Sequence, residues 1–150
     1  MFPNDRVAEM VTQNFLPVTV HVREQAADFQ RLGSQFGAEW TPTILLLDGQ
    51  GRERHRIEGF LPAGDFLGQL EFARGRIAFS AGDFEEAERL FRHVVSHHGE
   101  SDAAAESQYW AGVARYKATN DPEALAETAR AFRDSYQDST WAKKASVWGK

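Results

Sequence analysis

The sequence of 150 residues contains no cysteine. Without a thiol the chain has no disulfide, no thiolate nucleophile and no cysteine metal ligand, so these residues alone cannot perform cysteine redox chemistry. Long apolar runs are missing too, which argues against a membrane span. Residues 1–5 lack the basic-then-apolar order of a signal peptide. We therefore expect a soluble, cytoplasmic protein without a membrane partner.

An excess of positive charge is also missing. The formal net charge is −5 and the isoelectric point is about 5.5. A nucleic-acid-binding domain typically carries a basic patch or stripe, so we expect no nucleic-acid partner. The length fits one domain, or one small domain with an appendage, and is sufficient for a buried core.

The clearest local pattern is an apolar run at residues 44–47. Pro42 precedes it, the turn sequence Asp-Gly-Gln-Gly closes it at residues 48–51, and residues 52–58 are almost all polar. A continuous apolar run between a proline and a glycine turn predicts a strand covered on both faces. The polar segment after the turn is typical of an edge strand, where charge discourages further pairing. We therefore predict a β-hairpin.

The remainder of the first half alternates between two periodicities. Helical spacing of Val7, Met10, Val11 and Phe15 predicts a first helix, with Asn4 or Asp5 as its cap. Residues 18–22 alternate valine with polar residues, which predicts a half-buried strand. Helical spacing then returns over residues 24–36, and Pro62 opens another helix after the hairpin.

From about Gly75 onward the patterns are exclusively helical. Four helices are indicated around residues 84–98, 105–116, 125–136 and 141–148. Turn and cap residues separate them at residues 82–83, 99–102, 120–122 and 138–139. The fold class that we predict is therefore a small α/β domain followed by an all-α tail.

The first half resembles the C-terminal part of a thioredoxin fold. The resemblance rests on Trp40-Thr41-Pro42-Thr43 between a helix and an apolar strand, and covers roughly residues 5 to 72. It implies a cis Thr41-Pro42 bond beside a surface that holds an extended peptide, so Trp40, Thr41, Pro42 and Thr43 are candidate peptide-binding residues. The domain boundaries expected are residues 1–72 for an incomplete thioredoxin-like domain with a small mixed sheet, and residues 73–150 for the tail.

The resemblance lacks two parts of the family pattern, the central strand and the Cys-x-x-Cys segment. Three explanations remain open: residues 18–22 pair directly with the apolar strand, a second copy covers the strand edges in a homodimer, or the natural start lies upstream of Met1.

The tail resembles tetratricopeptide repeats, which are stacked helix pairs. Gly75, residues 82–87 and Phe91 occupy the small, turn and packing positions of one repeat, and residues 110–112 resemble the opening of a second. Gly75 and Gly112 lie 37 positions apart, against a period of about 34 in that family. Such stacks form a groove, for which Tyr109, Trp110 and Tyr116 are candidate lining residues. Thioredoxin-like domains with helical tails of this kind are a bacterial arrangement.

Histidines provide the remaining candidate site. His93 and His97 are four positions apart on one predicted helix, with His98 adjacent. Two imidazoles without a third ligand do not make a zinc site, and a solvated helix face explains the pattern better. We expect no metal and no cofactor.

Three functions remain open. The first is a non-catalytic protein- or peptide-interaction module, whose partner is a protein, an extended peptide or a second copy. The second is a thiol-disulfide oxidoreductase in cell redox homeostasis whose Cys-x-x-Cys segment is absent from these residues; it is the only enzyme reading that the resemblance implies. A metal-dependent hydrolase using the histidines is a weaker third.

Overall fold

The computed structural model describes residues 4–150. Seven α-helices and two strands follow one another along this part of the chain, with a 3-10 helix at its end. In order, they are α1 (Asp5–Asn14), α2 (Ala26–Phe36), β1 (Thr43–Leu47), β2 (Glu53–Glu58), α3 (Ala63–Ser80), α4 (Phe84–His97), α5 (Ala104–Thr119), α6 (Glu123–Asp134), α7 (Thr140–Ala145) and the 3-10 helix Ser146–Gly149. The predicted class is confirmed: a small sheet with helices precedes an all-helical region.

The chain divides into two compact units. The first ends at Ala63 and the second covers Gly64–Lys150. α3 lies in the second unit except for its first residue. The predicted boundary at residues 72 and 73 falls inside this helix.

The first helix of the first unit begins as predicted. The Asn4 side chain accepts hydrogen bonds from the backbone N–H of Arg6 at 3.0 Å and of Val7 at 3.2 Å, which satisfies amides that have no partner in the first turn. Val7 and Val11 are buried, in agreement with their helical spacing.

The predicted strand at residues 18–22 is wrong. Residues 15–21 have no regular secondary structure, and Val18 is 81% exposed. A strand requires a hydrogen-bonded neighbour, and among residues 4–150 no strand pairs with this segment. The segment ends in a local turn, where His21 Nδ1 accepts from the backbone N–H of Arg23 and Glu24, both at 3.3 Å. Such side-chain bonds compete with sheet formation.

The predicted hairpin is confirmed. β1 and β2 pair antiparallel, with Ile44 opposite Ile57 and Leu46 opposite His55. The complete cover predicted for β1 is wrong, because only Leu46 is buried, Ile44 and Leu45 are half-buried, and Leu47 is 38% exposed. In residues 4–150 β1 pairs with β2 alone. A sheet of only two strands buries little of either face.

The second unit has a continuous apolar core between its helices. Its buried members are Phe72, Ala87, Phe91, Val94, Ala103, Ala111 and Ala114. A Cβ atom built on Gly75 would lie 2.5 Å from the Phe91 ring. This spacing explains the small residue on α3, because only glycine allows α4 to approach so closely.

Candidate functional site

The candidate peptide-binding residues lie at the entry to β1. The Thr41-Pro42 bond is cis, as the resemblance implies. Trp40 is 70% exposed, Thr41 and Pro42 are exposed, and Thr43 is half-buried. All four candidates are therefore at least partly accessible.

Two hydrogen bonds fix the backbone at this entry. The Thr43 hydroxyl donates to the Trp40 carbonyl oxygen at 2.6 Å, and the Gly59 N–H donates to the Pro42 carbonyl oxygen at 2.8 Å. The second bond places Phe60, which is 85% exposed, next to the start of β1. Sequence reasoning missed Phe60, because nothing in its sequence neighbourhood shows that it follows a residue bonded to Pro42.

The register determines which backbone groups of β1 face away from β2. In an antiparallel pair, residues that exchange backbone bonds alternate with residues that do not. The bond at Pro42 assigns Ile44 and Leu46 to the partner side. The N–H and C=O groups of Thr43 and Leu45 therefore point to the other edge, which no strand of residues 4–150 occupies.

The turn of the hairpin is organised by Asp48. Its carboxylate accepts from the backbone N–H of Gln50 at 2.9 Å and of Arg52 at 3.0 Å. The side chains of Arg54 and Arg52 donate to its other oxygen at 2.9 and 3.1 Å. The Arg52 backbone bond contributes most to lowering the pKa of Asp48 to about 2. These bonds fix the register from the turn upward.

Arg56 ties β2 to the end of α2. Its guanidinium donates to the carbonyl oxygens of Phe36 and Gly37, the second at 3.1 Å. It also donates to Glu53 at 2.8 Å and to Glu58 at 3.1 Å. The hydrogen bond from Arg56 lowers the pKa of the Glu53 carboxyl. The charged face of the hairpin is therefore satisfied within the unit.

The three groove candidates in the second unit are half-buried. Tyr109 stacks on Trp148 with ring centroids 4.8 Å apart and also contacts Trp141 at 5.2 Å. Trp110 lies edge-on to Phe79 at 5.3 Å. Two of the candidates thus belong to aromatic contacts between helices, and the structure brings them together mainly as packing. Tyr116 has no ring contact among the aromatic pairs of residues 4–150.

A half-buried carboxylate is hydrogen-bonded to Trp110. Glu106 accepts a hydrogen bond from the Trp110 indole N–H at 3.3 Å, and the Arg76 guanidinium lies 4.1 Å from the centre of the Trp110 ring. Burial raises the pKa of the Glu106 carboxyl, against the effects of Trp110 and of the positive charges of Arg76 and Lys144. The observed contact of the carboxylate is with the Trp110 indole, so we interpret Glu106 as structural.

The histidines do come together. The rings of His93 and His97 stack at 4.0 Å, and His98 lies 6.0 Å from His93. His93 Nδ1 lies 3.3 Å from the buried Glu71 carboxylate. Among residues 4–150, no three His, Asp or Glu side chains are arranged to hold a metal ion.

None of the helices in this part of the chain is long and apolar enough to cross a bilayer.

A comparison with known protein families finds a match in the first half of the chain. A family model described as a thioredoxin-like domain matches residues 1–74. No curated protein and no solved structure matches the chain. The match, the cis Thr41-Pro42 bond and the helix–hairpin–helix order concern the same segment. Residues 1–74 are thus similar to a thioredoxin-like domain, and an all-helical region follows the small sheet.

Proposed function

We propose that this protein is an interaction module that binds an extended polypeptide along β1. The observation that carries the proposal is the unoccupied edge of β1, at which the N–H and C=O groups of Thr43 and Leu45 lack a strand partner among the described residues. An added strand would satisfy these groups with main-chain hydrogen bonds.

Exposed apolar side chains at the same place favour an apolar occupant. Trp40 and Phe60 are 70% and 85% exposed and lie beyond the last pair of the hairpin. Large aromatic side chains supply much of the binding energy where a partner docks. The ligand that fits is an extended segment whose alternate side chains are apolar, such as an unfolded stretch of another protein.

A second copy of the chain is the other occupant of this class. Among residues 4–63 only four side chains count as buried apolar groups, Val7, Val11, Leu46 and Ile57. In the same range, Leu16, Val18, Val22, Trp40, Leu47 and Phe60 are large and exposed. Homodimer formation would remove part of this surface from water.

We further propose that the second unit consists of two tetratricopeptide-like helix pairs, α3 with α4 and α5 with α6. In each pair a glycine on the first helix meets a side chain on the second, Gly75 with Phe91 and Gly112 with Thr128. The equivalent positions of these glycines support a repeat. Tyr116 and the outward edges of Tyr109 and Trp110 would then face the groove.

The test of the peptide proposal is a calorimetric titration of the full chain. The ligand is a peptide of eight residues that alternates valine and threonine, and the control is the same peptide with every backbone amide N-methylated, so that neither edge of the strand keeps a donor. Methylation removes the peptide N–H groups that would donate to the carbonyl oxygens of Thr43 and Leu45, so we expect binding of the first peptide only. Trp40→Ala should weaken binding by about tenfold, as expected for an aromatic anchor.

Val147→Ala is the matched control variant, because Val147 is exposed but lies in the second unit. It should bind the peptide as the parent protein does. Equal binding of the two peptides, or no effect of Trp40→Ala, would refute pairing along β1. The outcome does not depend on the oligomeric state if the titration is repeated at two protein concentrations.

A further inference from the structure

A cavity of about 570 Å³, open to solvent, lies in the second unit, and none of the candidate site residues discussed above lines it. Three elements form it: α6, α7 and the 3-10 helix Ser146–Gly149. Its lining residues are Ala129, Phe132, Arg133, Gln137, Ala142, Lys143, Ser146 and Gly149. Its volume is in the range of small-molecule sites.

The floor of the cavity is apolar. Ala129 and Phe132 of α6 are 6% and 3% exposed, and Ala142 of α7 is half-buried. Hydrocarbon placed on this floor would leave water. The floor therefore fits the aliphatic or aromatic body of a small ligand.

The rim of the cavity carries two cations, Arg133 and Lys143. Five arginines of the same unit, at positions 74, 89, 92, 115 and 130, form ion pairs with glutamates. Within residues 4–150, neither Arg133 nor Lys143 has a carboxylate within ion-pair distance. Two positive charges without a carboxylate partner therefore border an apolar floor in a protein whose net charge is −5.

The nearby backbone acceptors are already occupied. Gln137 Nε2 donates to the Arg133 carbonyl oxygen, and Ser146 Oγ donates to the Lys143 carbonyl oxygen at 2.7 Å. A Cβ atom built on Gly149 would lie 3.5 Å from Arg133 Nη2, so the 3-10 helix passes close to this guanidinium. Because neither group has a carboxylate partner within residues 4–150, the two cationic groups are available to an incoming anion.

From this arrangement we propose that the cavity binds a small amphipathic carboxylate. The apolar body lies on Ala129, Phe132 and Ala142, and the carboxylate is held between Arg133 and Lys143. A neutral molecule of the same shape satisfies the floor but not the cations. The site shares no residue with the β1 edge and does not depend on the function proposed for that edge.

The experiment titrates the full chain with 4-phenylbutanoate and, as the matched neutral probe, 4-phenylbutanamide. Binding is followed by calorimetry and by amide chemical shifts of Ala142, Ser146 and Gly149. We expect saturable binding of the carboxylate with shifts at these three amides, and binding of the amide weaker by about tenfold or more. Raising the salt concentration should weaken the binding of the carboxylate but not that of the amide.

Variants decide whether the two cations are responsible. The double variant Arg133→Gln, Lys143→Gln should bind the carboxylate no better than the amide. The control variant Arg92→Gln, Lys117→Gln makes the same charge change at exposed positions outside the cavity and should bind like the parent. Both pairs are surface residues, so equal thermal midpoints confirm that folding is unaffected.

Three results would overturn the proposal. The first is equal binding of the carboxylate and the amide. The second is a set of chemical-shift changes that map outside the cavity or fail to saturate. The third is a control variant that loses as much affinity as the rim variant.

Discussion

Gly112 on α5 lies directly against Thr128 on α6. A Cβ atom built on Gly112 would be 1.9 Å from Thr128 Oγ1, and Thr128 in turn donates to the Ala124 carbonyl oxygen at 2.7 Å. The Thr128 side chain therefore fills the contact against bare α5 backbone, and its hydroxyl group is satisfied within its own helix. The spacing of α5 and α6 depends on this glycine.

Gly112→Ala should therefore destabilise the protein by about 1–3 kcal/mol, as overpacked cores do. The measurement is the free energy of unfolding from urea denaturation. Gly64→Ala is the control, because Gly64 lies in the first turn of α3 with no atom within 4 Å of a built Cβ. There, alanine should be neutral or slightly stabilising. Equal free energies for the two variants would contradict the close contact.

The Asp48 turn predicts a pH dependence at the acid end. The folded pKa of about 2 lies below the usual value of 3.8 for an aspartate, so this carboxylate contributes stability above about pH 4. That contribution is lost as the pH falls through the folded pKa. Carboxyl chemical shifts should show Asp48 titrating near pH 2, and Asp48→Asn should flatten the stability curve between about pH 4 and 2. A titration midpoint near the usual aspartate pKa would show that the four hydrogen bonds do not persist in solution.

Glu106 should act in the opposite direction. Its pKa is raised by burial, so the ionised form is less favourable in the folded protein than in the unfolded chain. Stability should decrease as the pH rises from the unfolded pKa through the folded one. Glu106→Gln keeps an acceptor for the Trp110 indole and removes the half-buried charge. We expect this variant to unfold at a higher temperature than the parent at pH 7, and at nearly the same temperature at pH 3, where both side chains are neutral.

The exposed apolar side chains of the first unit predict self-association. Sedimentation velocity over a hundredfold range of protein concentration should show a larger species at the high end. Val18→Lys together with Phe60→Lys should shift this transition to higher concentration, because two exposed apolar groups are replaced by like charges. Val147→Lys, in the second unit, should leave it unchanged. A single species for the parent at all concentrations would leave the extended peptide as the occupant.

Periodicity was sufficient for the helices and the hairpin. Val7 and Val11, or Phe91 and Val94, are buried where helical spacing places them, because local chain geometry determines which residues share a face. The strand at residues 18–22 could not be judged in the same way. Its alternation is genuine, but a strand exists only with a partner, and that partner is not in the same stretch of sequence.

The candidate site was predictable only in part. Trp40, Thr41, Pro42 and Thr43 follow from a local motif, whereas Phe60 reaches the same place through the register of the hairpin. Arg133 and Lys143 lie on different helices, and their common rim arises only when α6 and α7 pack. Pairs that depend on packing carry no signal in a single sequence.

The bonds from Arg56 to the last carbonyl groups of α2 bear on how the first unit opens. α2 contains no buried residue, so few apolar contacts hold this helix in place. The hydrogen bonds from Arg56 of β2 therefore restrain its end. Fraying of β2 should therefore release the end of α2 in the same event, and amide protons of both segments should exchange with solvent at a common rate.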